Sequence, residues 1–393
     1  MTSSSSTNAV VFAGSPMSNL ALYHQIRFAV GDPTALIVLP TGPNSSTSPH
    51  RLLMIRDIEM ERAKQTAKAD EVVCPKDFAP SDWQTGDREL ETAQSVAECL
   101  VQKNIKSVTV DRTLPAIYAH YITKAGIAIE CDPDLGVLDR RSKDQEELAH
   151  LRQAQSITEG CMRMACETIA RASADASGQL IHDGEVLTSE RMFQLIDIWF
   201  LNHGGATPHG SIVACGPIGA DCHDRGQGPL YTGQPIIIDL FPYIKSSHYH
   251  GDCTRCVVHG EIPTEVAKMH AAVIAAKNAA QDATKAGVTA DAVHAETIRV
   301  IKEHGYESGI PAADAPHSTC SMVHGTGHGI GLDVHEPPLI DVGGPALVEG
   351  DVLTIEPGLY CKAIGGIRIE DMIAVTKDGI ENFNTLPTDL SWA

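Results

Sequence analysis

A chain of 393 residues exceeds the ~250–300 residues at which a single hydrophobic core stops growing, so two domains are expected. Its 30 basic and 50 acidic residues give a net charge of −20, which repels nucleic acid and anionic membrane, and no basic run offsets it. With 43% hydrophobic and 20% charged residues the composition is that of an ordinary globular protein, whose expected partners are peptides or small molecules.

The segment Met1 to Leu20 has no basic start, and its apolar run, Ala9 to Ala13, is too short for a signal peptide. No stretch approaches the ~18 apolar residues needed to cross a bilayer. The eleven cysteines are scattered, and the C-x-x-C of Cys253 and Cys256 has no second pair at zinc-finger spacing. Free thiols in a reducing compartment are expected, and with them a cytoplasmic protein.

Through residue 140, strand-like and helix-like segments alternate. Ala35 to Leu39, Arg51 to Ile55, Glu71 to Cys74 and Ser107 to Val110 read as short buried strands. Thr92 to Val101 has helical spacing, with Val96, Leu100 and Val101 on one side. This is the pattern of a layered α/β domain. Neither a G-x-G-x-x-G nor a P-loop is present, so nucleotide binding has no support.

Cys131 to Arg141, rich in Asp, Pro and Gly, marks a boundary between domains at 1–140 and 141–393. Ser142-Lys143-Asp144-Gln145 is a capping-box pattern that opens a helix. Leu148, Leu151, Gln155, Thr158 and Cys161 follow at three- and four-residue steps. Further helices are expected over Ser189 to Asn202, Thr264 to Lys285 and Asp291 to His304. Pro235 to Phe241, Gly251 to Val258, Asp351 to Cys361 and Gly366 to Val375 read as strands. The second domain is therefore expected to be α+β, with helices flanking an antiparallel sheet and no short-period repeat.

Carboxylates inside these apolar strands carry the most information. Ile236-Ile237-Ile238-Asp239-Leu240 places one where a buried side chain is expected; Leu353-Thr354-Ile355-Glu356-Pro357 and Ile367-Arg368-Ile369-Glu370 do so again. Burying an isolated carboxylate costs several kcal/mol, so each needs a cation or a set of donors. With Asp252 beside them they outnumber the available arginines, Arg255 and Arg368, and divalent metal is the economical explanation. The stretch Val323 to Pro338 adds His324, His328 and His335 among glycines that allow close backbone approach. Four carboxylates and one imidazole make a hard, oxygen-rich set that favours Mn²⁺, Fe²⁺, Co²⁺ or Zn²⁺ over copper. Two carboxylates can bridge ions ~3.5–4 Å apart, and a water between them becomes a nucleophile near neutral pH. Asp239 and Glu356 would then be terminal ligands, and Asp252 and Glu370 the bridges.

From about Ser142 onward these residues resemble the pita-bread metallopeptidases (family M24): aminopeptidase P, prolidase, methionine aminopeptidase and creatinase. The carriers are the Asp239 strand, Tyr249-His250-Gly251-Asp252-Cys253-Thr254-Arg255, H-G-T-G-H-G-I-G-L-D-V-H-E-P-P from His324, T-I-E-P-G-L-Y from Thr354 and G-I-R-I-E-D from Gly366. The first 140 residues look like the creatinase/prolidase N-terminal domain, which methionine aminopeptidases lack. The resemblance implies a pita-bread catalytic domain, a homodimer, and Asp239, Asp252, His328, Glu356 and Glu370 as ligands of two divalent ions, with Mn²⁺ foremost. It implies that His335 steadies the substrate carbonyl, that His324 and His223 lie on the substrate side, and that Glu356 shuttles the proton to the leaving amine. It also implies that Arg368 orients Glu370 or a neighbouring carboxylate, with Thr254 beside it.

Three departures bear on the substrate. The family's D-x-G after the first ligand is here Asp239-Leu240-Phe241. The stretch from Asp239 to Asp252 is longer than in the family, with Lys245 in the added loop. Leu339 stands where prolidases often place a carboxylate-binding arginine, which argues against a strict dipeptidase unless Lys245 replaces it. The leading reading is a Xaa-Pro aminopeptidase or prolidase-like hydrolase. A metal-dependent hydrolase of a non-peptide amide or other small metabolite is the alternative. A non-catalytic binding module is disfavoured, because no ligand has been lost.

Overall fold

The computed structural model describes residues 8–40, 48–83 and 86–392. The chain falls into two compact units, Met1–Arg140 and Arg141–Ala393. No helix among the described residues is long and apolar enough to cross a membrane.

The first unit is built on one mixed six-stranded sheet. Its order is Glu71–Val73, His50–Met54, Thr34–Leu39, Ala9–Gly14, Ser107–Val110 and Ala128–Cys131. Successive residues along a strand face opposite sides of the sheet. Val11, Ile37 and Leu52 accordingly enter one core with Val96 and Val108, while Phe12, Leu36 and Leu53 enter another with Ile26 and Ala63. A sheet buried on both faces explains why its strands read as continuous apolar runs. The run Ala9 to Ala13, weighed in the sequence only as a leader, is a central strand antiparallel to 34–39 and parallel to 107–110. The expected helix spans Arg88–Gln102. Val101 departs from the expected inward face: it is 43% exposed, because it sits 100° around the helix from the fully buried Leu100.

The second unit opens with the helix Gln145–Ala170. Its cap differs from the expected Ser142 to Gln145 box. Asp144 accepts from the Glu147 amide, and Glu147 accepts from the Asp144 amide, both at 2.9 Å. The Ser142 hydroxyl is engaged elsewhere, donating to the Glu349 carbonyl at 3.0 Å. Leu148, Leu151, Gln155, Thr158 and Cys161 all lie on the buried face. Three helices follow: Ser189–Asn202, as expected, then Thr264–Ala283 and Ala290–Glu303, each within two residues of the expected ends.

Three antiparallel strands, Ser211–Cys215, Pro235–Leu240 and Cys253–Val258, form the sheet that places the first carboxylate. Ile236, Ile238 and Leu240 enter one core with Val213, while Ile237 enters the other with Ile212 and Cys256. Each fully buried aliphatic side chain contributes about 1.5–3 kcal/mol, which fixes the register. Asp239 must then share the Ile237 face, and its cross-strand partner is Thr254. Both longer strands expected near the C-terminus are interrupted at a carboxylate. Val352–Ile355 and Gly358–Cys361 flank Glu356-Pro357, where proline has no N–H to continue the ladder; Gly365–Arg368 and Asp371–Val375 flank Ile369-Glu370.

Candidate metal centre

Each strand end delivers one polar side chain to a single cavity of about 550 Å³. Asp239, Asp252, His328, Glu356 and Glu370 all line it. Asp252, His328 and Glu370 are buried and offer ligand atoms within 4.8 Å of one another. Nε2 of His328 lies 3.3 Å from Oε1 of Glu356 and 3.8 Å from Oδ2 of Asp252. Asp239 joins through Arg368, whose guanidinium donates to Oδ2 at 2.7 Å.

Supporting groups fix every member. The Gln155 side chain, from the buried face of the 145–170 helix, accepts from the Asp252 amide at 2.9 Å and donates to its carbonyl at 2.7 Å. This two-point clamp explains a fully buried glutamine on that helix face. Thr254 donates to Oε2 of Glu370 at 2.8 Å, and the Arg255 guanidinium donates to the Glu370 carbonyl. The Thr354 hydroxyl donates to Oε1 of Glu356 at 3.1 Å and accepts from the His328 amide at 3.1 Å. Arg368 holds the neighbouring carboxylate, Asp239, and not Glu370. Arg255 pairs with the Asp371 carboxylate at 2.9 Å and, among the described residues, with no side-chain carboxylate of the cluster.

The electrostatics call for a cation. Burial, and then the repulsion of Glu370, Asp239 and Glu356, push the Asp252 carboxyl well above its ordinary value. Burial and the charges of Glu356 and Asp239 do the same to Glu370, and burial raises Glu356. One guanidinium, Arg368, cannot neutralise the four carboxylates that line the cavity together. Oδ1 of Asp239 is buried with no hydrogen-bond partner. Nδ1 of His328 lies 3.1 Å from the Gly329 carbonyl, which can only accept, so in the neutral ring that nitrogen carries the proton. Nε2 then presents a lone pair toward two carboxylates, an arrangement that is repulsive without a cation and is the form in which histidine binds metal. Oxygen and imidazole donors of this kind fit divalent Mn, Fe, Co or Zn.

The expected substrate-side histidines differ in availability. His335 stands edge-on to His328, with ring centroids 4.3 Å apart, and neither of its ring nitrogens has a partner among the described residues. His324 lines the cavity, but both its ring nitrogens are engaged: Nδ1 with the Gly325 carbonyl at 2.7 Å, and Nε2 with the Tyr360 hydroxyl at 2.7 Å. His223 lines the cavity from an exposed loop. Lys245, considered as a replacement anchor, is exposed and does not line the cavity, whereas Leu339 does line it at 59% exposure. Sequence reasoning passed over Tyr360, which joins His324 to Arg368, and the cavity residues His209 and Arg225. The only signal for Arg225 was a charge beside glycines in Arg225-Gly226-Gln227-Gly228, two residues after His223.

Residues 149–377 match the sequence profile of metallopeptidase family M24. The "Probable dipeptidase PepE" of Mycobacterium tuberculosis is 38% identical over 181 residues, 46% of this chain and 45% of that protein. A Xaa-Pro dipeptidase of Pyrococcus furiosus is 33% identical over 162 residues, 41% of this chain and 42% of that protein. The chain thus aligns with about half the length of these curated relatives. The prolidase structure from Pyrococcus horikoshii OT3 has the same fold, with a TM-score of 0.75 at 23% identity over 98% of this chain and 96% of that one. With more than half its length matched by that profile, this chain belongs to metallopeptidase family M24.

Proposed function

We propose that this chain is a divalent-metal peptidase that hydrolyses the amide bond of Xaa-Pro substrates. Asp239, Asp252, His328, Glu356 and Glu370 would hold two ions, with Mn²⁺ foremost. The observation that carries the reading is three buried ligand atoms within 4.8 Å, set among carboxylates that burial, and then their mutual repulsion, push well above the ordinary carboxylate range. When bound, such ions polarise a substrate carbonyl and make a water acidic enough to attack it near neutral pH.

The chain's own residues supply the rest. Glu356, held by Thr354 and raised by burial, takes the proton of the attacking water on a carboxylate oxygen and passes it to the departing amine. His335, whose partial burial favours the neutral ring, donates from a ring nitrogen to the carbonyl oxygen as it gains charge. His324, fixed by Tyr360, and His223 border the same cavity. Asp252 stays in place because Gln155 grips its backbone.

The Pyrococcus relative is named a Xaa-Pro dipeptidase and the mycobacterial one a probable dipeptidase, which supports peptide substrates. Phe241, which lines the cavity where the family has glycine, favours as a second reading a non-peptide amide of different shape. The same proposal includes a creatinase/prolidase-type N-terminal domain over 1–140, a cytoplasmic location and a homodimer. The test is hydrolysis of matched Xaa-Pro and Xaa-Ala dipeptides and a set of small non-peptide amides, with and without chelator. Metal-dependent cleavage of the Xaa-Pro members is expected. Cleavage confined to the non-peptide amides would replace the reading.

A further inference from the structure

We propose that Arg225 binds a carboxylate of the substrate and thereby favours short peptides with an anionic end. The proposal rests on the peptide reading above and names the substrate class that the cavity selects. Two guanidinium groups line the cavity, Arg368 and Arg225. Arg368 is fully engaged, donating to Asp239, the Tyr360 hydroxyl and the Cys222 carbonyl. Arg225 has no carboxylate partner among the described residues. Nor do the acids at the rim turn toward it: Asp341 lies 3.5 Å from Nε2 of His294, and Asp333 accepts from the Val334 amide.

The position of Arg225 is built. Its carbonyl accepts from the Val213 amide at 2.9 Å, which ties the loop to the 211–215 strand. The next residue must be glycine, because a Cβ on Gly226 would come within 1.9 Å of the Val213 carbonyl oxygen. Gly210 (φ +77°) supports the other end: a Cβ there would lie 2.6 Å from one guanidinium nitrogen and 2.8 Å from Cζ of Arg225. The guanidinium of the exposed Arg225 thus lies against the open side of Gly210. An arginine fork matches a carboxylate bidentately, with a specificity that a lysine point charge lacks.

The cavity is bipolar. It has an acidic cluster in one part and, in Arg225, a cation with no counter-charge. A short peptide with a free carboxylate supplies the missing counter-charge to the guanidinium. The cavity of about 550 Å³ is of the size that encloses a small ligand. Leu339 therefore does not leave the pocket without a cation, and the sequence-based argument against a dipeptidase loses its premise.

The carboxylate has two possible sources, the C-terminus or an acidic side chain, and one experiment separates them. kcat/KM is measured for an Xaa-Pro dipeptide against its C-terminal amide, and for a glutamyl-prolyl amide against the glutaminyl one, with wild type, Arg225→Ala and Arg225→Lys. A charge-assisted bidentate contact predicts that the wild type favours one anionic member by about 10–100-fold, expressed mainly in KM. Arg225→Ala brings that ratio to near one, and Arg225→Lys restores part of it. Loss of the acid-to-amide ratio assigns the C-terminus, and loss of the glutamyl-to-glutaminyl ratio assigns a side chain. Each ratio compares two substrates on one protein, so it is unaffected by a partly unfolded variant. Both are taken on whichever dipeptide sequence is cut, so an absent proline preference leaves the test standing. If neither ratio differs between wild type and Arg225→Ala, the proposal is overturned.

Discussion

The guanidinium of Arg368 donates to Oδ2 of Asp239 across 2.7 Å, while Oδ1 of the same carboxylate is buried without a partner. One oxygen is thus fixed by a side chain that also bonds Tyr360 at 2.9 Å, while the other has no partner among the described residues. A carboxylate held in this way has its orientation set before any ion arrives. Groups that orient metal ligands typically matter 10–100-fold in affinity or activity.

Arg368→Lys should therefore weaken binding of the added ions by about 10–100-fold, even though the positive charge is kept. Calorimetric titration of the chelator-treated protein with Mn²⁺ measures this. An unchanged affinity would mean that Asp239 does not depend on Arg368 for its orientation.

His335→Ala is expected to lower kcat by about 10²–10³-fold while leaving the metal content of the protein as it was. In the proposed reading His335 donates to substrate, which fits its place beside His328 and the absence of a ring-nitrogen partner among the described residues. If the variant arrives without metal, His335 belongs among the ligands.

The metal-free protein should lose stability as pH rises from about 4 through the neutral range. Burial raises Asp252, Glu370 and Glu356 in the folded state, so the folded chain holds more protons than the unfolded one across that window. Their favourable contribution is complete below the ordinary carboxylate value and fades as each group ionises. Asp371 acts oppositely. Burial would raise it, but Arg255 and Lys277 outweigh this and lower it to about 2, so its contribution is lost as pH falls toward that value. Thermal unfolding of the chelated protein from pH 3 to 9 tests both signs. The stabilisation on adding Mn²⁺ should be larger at pH 8 than at pH 5.

Lys143 and Glu336 form a 3.0 Å ion pair with both side chains 2% exposed, and Glu336 also accepts from the Leu332 and Asp333 amides. Lys143→Met removes the cation beside a buried carboxylate, so a loss of about 3–5 kcal/mol is expected by denaturant titration. The same turn carries His335, so kcat should fall as well. Stability within error of wild type would show that backbone donors alone suffice for Glu336.

The carboxylates that line the cavity were legible because aspartate and glutamate inside runs such as Ile236-Ile237-Ile238 conflict with burial, and that conflict needs a chemical reason. The partners that orient them were less legible. Arg368 stands two residues from Glu370 in sequence yet serves Asp239, because the register of the 365–368 strand decides which carboxylate it reaches. The cap of the 145–170 helix shifted because the Glu349 carbonyl, far away in the chain, takes the Ser142 hydroxyl. Ala9–Gly14 could not be recognised as a strand from a short apolar run alone. Its identity comes from pairing with 34–39 and 107–110 on either side. Arg225 showed no periodicity or motif, and its role rests on Gly210, which only the fold brings beneath it.

The most direct test of the account is the number of ions needed for activity. Chelator-treated protein is titrated with Mn²⁺ while hydrolysis of a Xaa-Pro dipeptide is followed, alongside Asp252→Ala and Glu370→Ala. Activity should be absent without metal and reach its plateau near two ions per chain, and each variant should lose at least one ion together with turnover. Full hydrolysis in chelator, or near-normal turnover with full metal occupancy in either variant, would contradict the dinuclear centre.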